Sequence, residues 1–341
     1  MNQDYIVPNN WSIIEEGYEA DRVKSSESLF SIGNGAMGQR ANFEEQYSGA
    51  TFQGSYIAGV YYPDKTKVGW WKNGYPEYFA KVLNAPNWIG INVEINGESL
   101  DLSKCKSVSN FRRELNMQEG WYQRSFQAVL QNDLEISVHV TRFLSLDIDE
   151  LGAIKYEVTP INSDAKVVFK PYLDAGIENE DTNWEEKFWE TLEIKNEENA
   201  AFVVARTLKT KFTVATYMQN QIIVNNEIAD VKPVEVSKET SKISFAYEVA
   251  ATQGQTVSIH KFGGYTISTN HKEEYLISAA KQVLVQATTL GFNALLENQK
   301  QAWAKIWEMS DITIEGDTKA QQGIRFNIFQ LNQTYLGKDS R

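Results

Sequence analysis

The chain has 341 residues, of which 42% are hydrophobic and 12% aromatic, and it carries a formal net charge of −12. This length allows about two domains with a large core. The acidic balance disfavours nucleic-acid and anionic-membrane partners, because both bind basic patches. Cys105 is the one cysteine, which rules out an intramolecular disulfide. Without a signal-peptide pattern or an 18-residue apolar run, the sequence predicts a soluble, cytoplasmic protein.

The first motif along the chain is a glycine pattern. Gly33, Gly35 and Gly38 have the G-x-G-x-x-G spacing that cradles a pyrophosphate in dinucleotide-binding folds. That fold needs a strand before the glycines and a helix after them. The apolar run at 29–32 could be a short strand, but residues 39–46 lack the apolar stripe of a packed helix. A nucleotide cofactor is therefore disfavoured, and we expect a tight turn whose glycines take positive φ.

Residues from about 10 to 265 are predicted to form β-structure. Apolar and polar residues alternate over 134–140 and 91–95, as in half-buried strands, and Asn96-Gly97 is typical of a type I′ hairpin turn. Further short apolar runs follow at 153–158, 167–172, 202–205, 212–217, 222–224, 243–249 and 257–262. Many short strands without intervening helices indicate a large sandwich.

Two segments combine aromatic and polar residues. The stretch 69–88 contains three tryptophans, and the stretch 178–190 combines acidic residues with Trp184 and Trp189. Aromatic rings stack on sugar faces and carboxylates accept hydroxyl hydrogen bonds, so both stretches are candidate walls of a sugar site or an interface. The alternatives are core packing for the tryptophans and a solvated loop for the charges.

The pattern becomes helical near residue 270. Apolar residues at helical spacing predict helices over 272–290 and 293–309, separated by Gly291. Asp317 is placed to cap a third helix through 321–331. That helix is apolar on more than one face, and such a helix requires burial on several sides.

No motif identifies a metal or a catalytic centre. His139, His260 and His271 stand far apart, without metal-ligand spacing, and we interpret them as structural. Neither a G-x-S-x-G nor a Walker motif occurs. Carboxylates are plentiful, so a glycosidase-type acid/base pair remains open. We expect no cofactor and no metal.

Several segments in order resemble glycoside hydrolase family 65, and most of all its maltose phosphorylase branch. They are Glu27-x-x-Phe30-Ser-Ile-Gly-Asn-Gly-x-x-Gly-x-Arg40 with Glu44-Glu45, Trp88-Ile-Gly-Ile-Asn-Val93, Trp184 with Trp189, and residues 322–331. Ala41 departs from the glycine that many members carry. The resemblance implies a mainly β protein: a large antiparallel super-β-sandwich (1–268), a helical linker (269–310) and the first helix of a truncated (α/α)6 barrel, the catalytic domain (311–341).

The resemblance also implies a reaction. Family phosphorylases cleave an α-glucosyl disaccharide with inversion, so that maltose and phosphate give β-glucose 1-phosphate and glucose. A single Glu acts as general acid, and we expect it beyond residue 341, together with the phosphate-binding residues. No catalytic residue is therefore assigned to this chain, which we expect to be inactive alone and to form a homodimer in the parent enzyme. Phosphate is the co-substrate.

Two residues of the third helix, Arg325 and Gln330, are candidate neighbours of the sugar site. Helix packing and a salt bridge explain them equally well. Two alternatives to the phosphorylase remain. One is a hydrolase of the same family, which needs a second carboxylate to activate water. The other is a non-catalytic sandwich that binds sugar or forms a dimer.

Overall fold

The computed structural model describes residues 5–67, 74–180 and 186–337. In them a long series of strands is followed by helices. The strands are β1 (Ile6–Val7), β2 (Ser12–Glu16), β3 (Ile32–Gly33), β4 (Met37–Gln39), β5 (Ser55–Ile57), β6 (Tyr61–Lys65), β7 (Tyr78–Val82), β8 (Ile91–Ile95), β9 (Glu98–Ser99), β10 (Ser107–Asn116), β11 (Trp121–Val129), β12 (Glu135–Leu144), β13 (Leu151–Pro160), β14 (Ala165–Asp174), β15 (Trp189–Glu197), β16 (Ala200–Thr207), β17 (Thr213–Val224), β18 (Glu227–Ala229), β19 (Glu235–Lys238), β20 (Lys242–Ala251) and β21 (Val257–Ile267). The α-helices are α1 (Val23–Leu29), α2 (Leu276–Ser310) and α3 (Thr318–Thr334), and short 3-10 turns lie at Ala20–Arg22, Leu102–Lys104 and Glu273–Tyr275.

Two antiparallel sheets form the sandwich. The larger one has 11 strands in the order β1-β2-β10-β11-β12-β13-β21-β17-β16-β15, with β18 added to β17. The smaller has five strands in the order β19-β20-β14-β8-β9, and it packs through β14 and β20 on β16 and β17. Two small sheets, β3-β4-β5 and β6-β7, lie beside them. The predicted antiparallel sandwich with C-terminal helices is confirmed.

Period-two alternation positions the core. In β8, Ile91, Val93 and Ile95 are buried, whereas the residues between them are partly exposed. Asn96 and Gly97 then take φ of 52° and 83°, the left-handed pair that a type I′ turn requires, and β9 pairs back on β8. The sequence prediction of this hairpin is confirmed.

Ion pairs inside the sandwich fix the stretch that follows the glycines. The Glu45 carboxylate accepts a hydrogen bond from Arg124 at 2.7 Å, and the Glu44 carboxylate accepts one from Arg142 at 2.6 Å. The Tyr156 hydroxyl also donates to Glu45, at 3.1 Å. Breaking one such buried pair leaves an uncompensated charge and costs about 3–5 kcal/mol. These side chains therefore hold the segment after β4 against β11, β12 and β13.

The helices follow the predicted pattern with small shifts. Gly291 has φ 75° and ψ 165° inside α2, so the helix is broken where the sequence predicted a break. The first half begins at Leu276 rather than 272, because Glu273–Tyr275 is a 3-10 turn. Asp317 caps α3 by accepting from the Ala320 amide at 3.0 Å, as predicted. The division into domains at 268 and 310 remains a prediction.

One element differs from the sequence analysis. The run at 29–32 is not a strand in its full length, because α1 ends at Leu29 and β3 covers Ile32–Gly33 only. Val23, Ser26, Glu27 and Phe30 are buried at helical spacing. Two of these four are polar, so a hydrophobicity pattern does not reveal the helix.

Candidate functional site

A tight turn joins β3 to β4 and contains the glycine motif. Asn34 shapes it: its Oδ1 accepts from the Ala36 and Met37 amides at 3.1 and 2.8 Å. Its Nδ2 donates to the carbonyls of Ser145 and Asp149 at 2.7 and 3.0 Å. Gly35 has φ 81°, which a residue with a Cβ rarely adopts. The predicted tight turn is confirmed, but of its three glycines only Gly35 has the positive φ that the sequence analysis expected.

The amides of this turn are bonded to the last turn of α3. The Gly33 amide donates to Gln333 Oε1 at 2.7 Å, and the Gly35 amide donates to the Gln333 carbonyl at 2.8 Å. A Cβ on Gly33 would lie 3.1 Å from that carbonyl. The motif is followed by a strand, not a helix. Two requirements of a pyrophosphate cradle, donors pointing at the ligand and a helix N-terminus, are therefore not met.

A cleft that we call the seam groove begins at this contact between the sandwich and α3 and continues along the sandwich away from α3. Its first cavity has a volume of about 510 Å³ and its second about 200 Å³, and Tyr56 and Val82 line both. The lining of the first cavity includes Gly33, Gly35, Gly38, Arg40, Tyr61, Gln330, Gln333 and Thr334, and that of the second includes Phe52, Gln53, Lys81, Asn84, Asn179 and Glu180. Glycine motif, sandwich and α3 thus share one groove.

The two aromatic and polar segments meet at the second cavity. The Asn84 amide donates to Asn179 Oδ1 at 2.9 Å, and Asn179 Nδ2 donates to the Val82 carbonyl at 3.2 Å. Trp88 and Trp189, in contrast, are buried in the core, the alternative that the sequence left open. The parts of these segments at 69–73 and 181–185, with Trp184, lie outside the described residues.

The charges around the groove are paired. Lys81 Nζ lies 2.9 Å from the buried carboxylate of Asp64. Arg40 donates to the Phe52 carbonyl at 2.9 Å and lies 3.8 Å from Glu27. Burial raises the pKa of the Glu27 carboxyl above its ordinary value, and hydrogen bonds from Thr51 and Phe52 oppose that shift. The pairing leaves little excess positive charge to attract an anion.

The two candidate residues of α3, Arg325 and Gln330, have different surroundings. Arg325 donates from Nε and an Nη to the carboxylate of Asp311, both at 2.8 Å, and its guanidinium lies 3.5 Å from the centre of the Trp11 ring. This bond lowers the pKa of Asp311 below its ordinary value. Arg325 therefore packs α3 on the N-terminal strands. Gln330, in contrast, lines the seam groove and accepts from Gln333 at 2.6 Å.

The sequence analysis did not single out Gln333 or Gln53. Gln333 contacts a residue 300 positions away, and nothing in its local pattern marks it. The histidines do not assemble: His271 pairs with Glu150 at 2.7 Å, whereas His260 lies against Phe292. Among the residues that the structure describes, no group of three or more His, Cys, Asp and Glu side chains is arranged to hold a metal ion.

Comparison with known proteins identifies the family to which the chain belongs. The family model described as "Glycosyl hydrolase family 65, N-terminal domain" matches residues 13–306. The chain belongs to this family. The maltose phosphorylase of Bacillus subtilis (strain 168) is 39% identical over the whole chain, and the alpha,alpha-trehalose phosphorylase of Thermoanaerobacter brockii is 28% identical over 97% of it. The chain spans 44% of the length of each of these relatives.

A solved structure supports the fold of this family 65 chain. The structure described as "Putative kojibiose phosphorylase from human microbiome" superposes with a TM-score of 0.87 at 26% identity, covering 98% of this chain and 43% of that one. The chain therefore corresponds to the N-terminal portion of such proteins. In the described parts of the chain, no helix has the length and the hydrophobicity to cross a membrane.

Proposed function

We propose that this chain is the N-terminal part of an inverting α-glucosyl disaccharide phosphorylase that converts maltose and phosphate into β-glucose 1-phosphate and glucose. The observation that carries the proposal is the identity over the whole chain: 39% to a maltose phosphorylase, against 28% to a trehalose phosphorylase and 27% to a kojibiose phosphorylase. Maltose is therefore the first substrate to test.

We expect the chain to form part of the structural scaffold of this enzyme and to contain none of its catalytic residues. Glycosidic cleavage by water needs two carboxylates that face each other across the scissile bond, whereas phosphorolysis needs one general acid. Among the described residues that line the seam groove, Glu180 alone carries a carboxylate. Glu44 and Glu45 are held by buried arginines. We therefore place the general acid in the part of the parent that follows residue 341 and expect this chain to be inactive alone.

The experiment compares disaccharides on the full-length parent protein. We expect kcat/KM for maltose to exceed that for trehalose and for kojibiose, with no turnover when phosphate is left out. If trehalose or kojibiose is preferred, phosphorolysis is still the reaction, but the assignment of maltose as the substrate is wrong. Glucose release from maltose in the absence of phosphate indicates instead a hydrolase of the same family.

We also propose that the parent is a homodimer, as the resemblance implies, and that it is cytoplasmic. Sedimentation velocity of the purified protein tests the first, since a single species at monomer mass contradicts it. Cell fractionation tests the second. An activity found in the medium contradicts a cytoplasmic location.

A further inference from the structure

A buried lysine joins the two sheets of the sandwich at the segment 88–93, one of those that carry the family resemblance. Lys261, on β21, has no exposed surface. Its Nζ reaches from the larger sheet to the smaller one and donates to the carbonyls of Gly90 and Tyr172, both at 2.8 Å. Gly90 leaves room for the Tyr172 ring, because a Cβ there would lie 2.1 Å from it. One amine thus links β21 to β14 and to the residue before β8.

The two hydrogen bonds match an uncharged amine. A neutral amine has two N–H donors, and the carbonyls of Gly90 and Tyr172 accept both. An ammonium has three donors. In the part of the chain that the structure describes, no third group accepts a hydrogen bond from Lys261 Nζ. A proton on this amine would therefore leave one buried donor without an acceptor.

The groups on the smaller sheet do not neutralise a charge on Lys261. Lys242 lies over the Tyr172 ring, 4.5 Å from its centre, and so adds positive charge on that side. Asp174 accepts from a backbone amide of its own loop. Burial raises the pKa of Tyr172 to about 12 and also raises that of Tyr247 on β20, so neither hydroxyl is charged at neutral pH. Among the described residues, no carboxylate forms an ion pair with Lys261.

The charges on the larger sheet are engaged elsewhere. Arg142 lies two strands from Lys261, roughly 10 Å by the spacing of strands, and it is bonded to Glu44. His260 and its partner on β13, Lys155, are one position away along their strands, so their side chains point to the opposite face. Burial therefore acts on Lys261 without a counter-ion, and it lowers the pKa of this amine well below the ordinary value of 10.5.

We propose that Lys261 is a pH-sensitive link, which holds the two sheets together as a neutral amine and is weakened when acid protonates it. Protonation places an unpaired charge in the core and adds a donor without an acceptor. Because the folded pKa lies below the unfolded one, the unfolded chain binds the proton more readily between the two values. The stability contributed by the link therefore rises with pH across that window. This link is separate from the proposed reaction and does not depend on it.

The test compares urea unfolding of the 341-residue protein with that of Lys261→Met, since methionine has a similar length and takes up no proton. The equilibrium constant for unfolding of the unmodified protein is divided by that of the variant. We expect this ratio to fall by up to about tenfold per pH unit between about pH 7 and 9. Lys305→Met, at an exposed lysine of α2, is the matched control, and its ratio should not change with pH. A ratio for Lys261→Met that is independent of pH overturns the proposal.

A measurement on the unmodified protein covers the case in which Lys261→Met does not fold. With carbon-13 at the lysine Cε positions, we expect one NMR signal of the folded protein to have the chemical shift of a neutral amine at about pH 8. That signal should move to the ammonium position when urea unfolds the protein, because an unfolded lysine is protonated at this pH. If every lysine signal of the folded protein has the ammonium shift, the proposal is overturned. Neither readout involves phosphorolysis, so such a failure leaves the proposed function standing.

Discussion

At the scale of single residues, the buried charges decide what the chain can do. Four charged side chains inside the sandwich pair with one another: Glu44 with Arg142 and Arg124, and Glu45 with Arg124. Such groups stabilise the fold only as pairs and are not available to a substrate. Arg325 follows the same rule on α3, since Asp311 and the Trp11 ring occupy its guanidinium.

We expect Arg325→Met to lower the free energy of unfolding by about 1–3 kcal/mol at neutral pH, because it leaves Asp311 without its charge-assisted bonds. Arg112→Met, at an arginine that is 38% exposed, is the control and should lose less than about 1 kcal/mol. Urea unfolding measures both. Equal losses in the two variants contradict a special role of the Arg325 contacts.

The same pair predicts a pH dependence. Arg325 lowers the pKa of folded Asp311 below the unfolded value of 3.8, so the pair stabilises the protein above that value. The contribution is lost as the pH falls through the lowered folded pKa. The stability difference between the unmodified protein and Arg325→Met should therefore shrink as the pH falls below about 4. A difference that is constant or grows in acid contradicts this assignment.

At the scale of elements, the most consequential contact is that between the glycine turn and α3. Gln333 accepts from Gly33 through its side chain and from Gly35 through its carbonyl, so one residue joins the sandwich to the third helix. The sequence motif thus serves a helix contact and not a phosphate.

We expect Gln333→Met to lower the free energy of unfolding by about 1–3 kcal/mol, because the Gly33 amide loses its acceptor. Hydrogen exchange should show faster exchange at Gly33. Gln301→Met, on the exposed face of α2, keeps that acceptor, so its Gly33 amide should stay protected. Unchanged protection of Gly33 in Gln333→Met contradicts this role of the turn.

A pair of glycine substitutions tests the break in α2. Gly291 has φ 75° and ψ 165°, a region open almost only to glycine, so Gly291→Ala should destabilise the protein by about 1–3 kcal/mol. Gly323 lies inside α3 with open space at its Cβ position, so Gly323→Ala should stabilise it by about 0.5–1 kcal/mol. Chemical denaturation should give opposite signs. The same sign for both contradicts the helix break.

The sequence predicted the elements whose structure depends on residues close together in the chain. The β8–β9 hairpin, the break at Gly291 and the cap at Asp317 depend on φ preferences and hydrogen bonds within a few residues. Helix α1 was not predicted, because its buried face includes the polar residues Ser26 and Glu27 and so lacks an apolar stripe. The seam groove was not predicted because Tyr56 and Gln330, which both line its first cavity, are brought together only by the tertiary fold.

At the scale of the whole molecule, the chain has the architecture of the N-terminal portion of family 65 proteins and spans 44% of the length of the curated relatives compared. Its sandwich meets α3 at the seam groove, and Leu331 and Tyr335 leave apolar surface exposed near the end of that helix. A helix that is apolar on more than one face is typical of burial against further helices.

The most direct test of this account measures glucose 1-phosphate formed from maltose and phosphate by the full-length parent and by the 341-residue chain, side by side. Proton NMR distinguishes the two anomers of the product. We expect β-glucose 1-phosphate from the parent and no product from the chain alone. Turnover by the chain alone, or the α anomer from the parent, contradicts it.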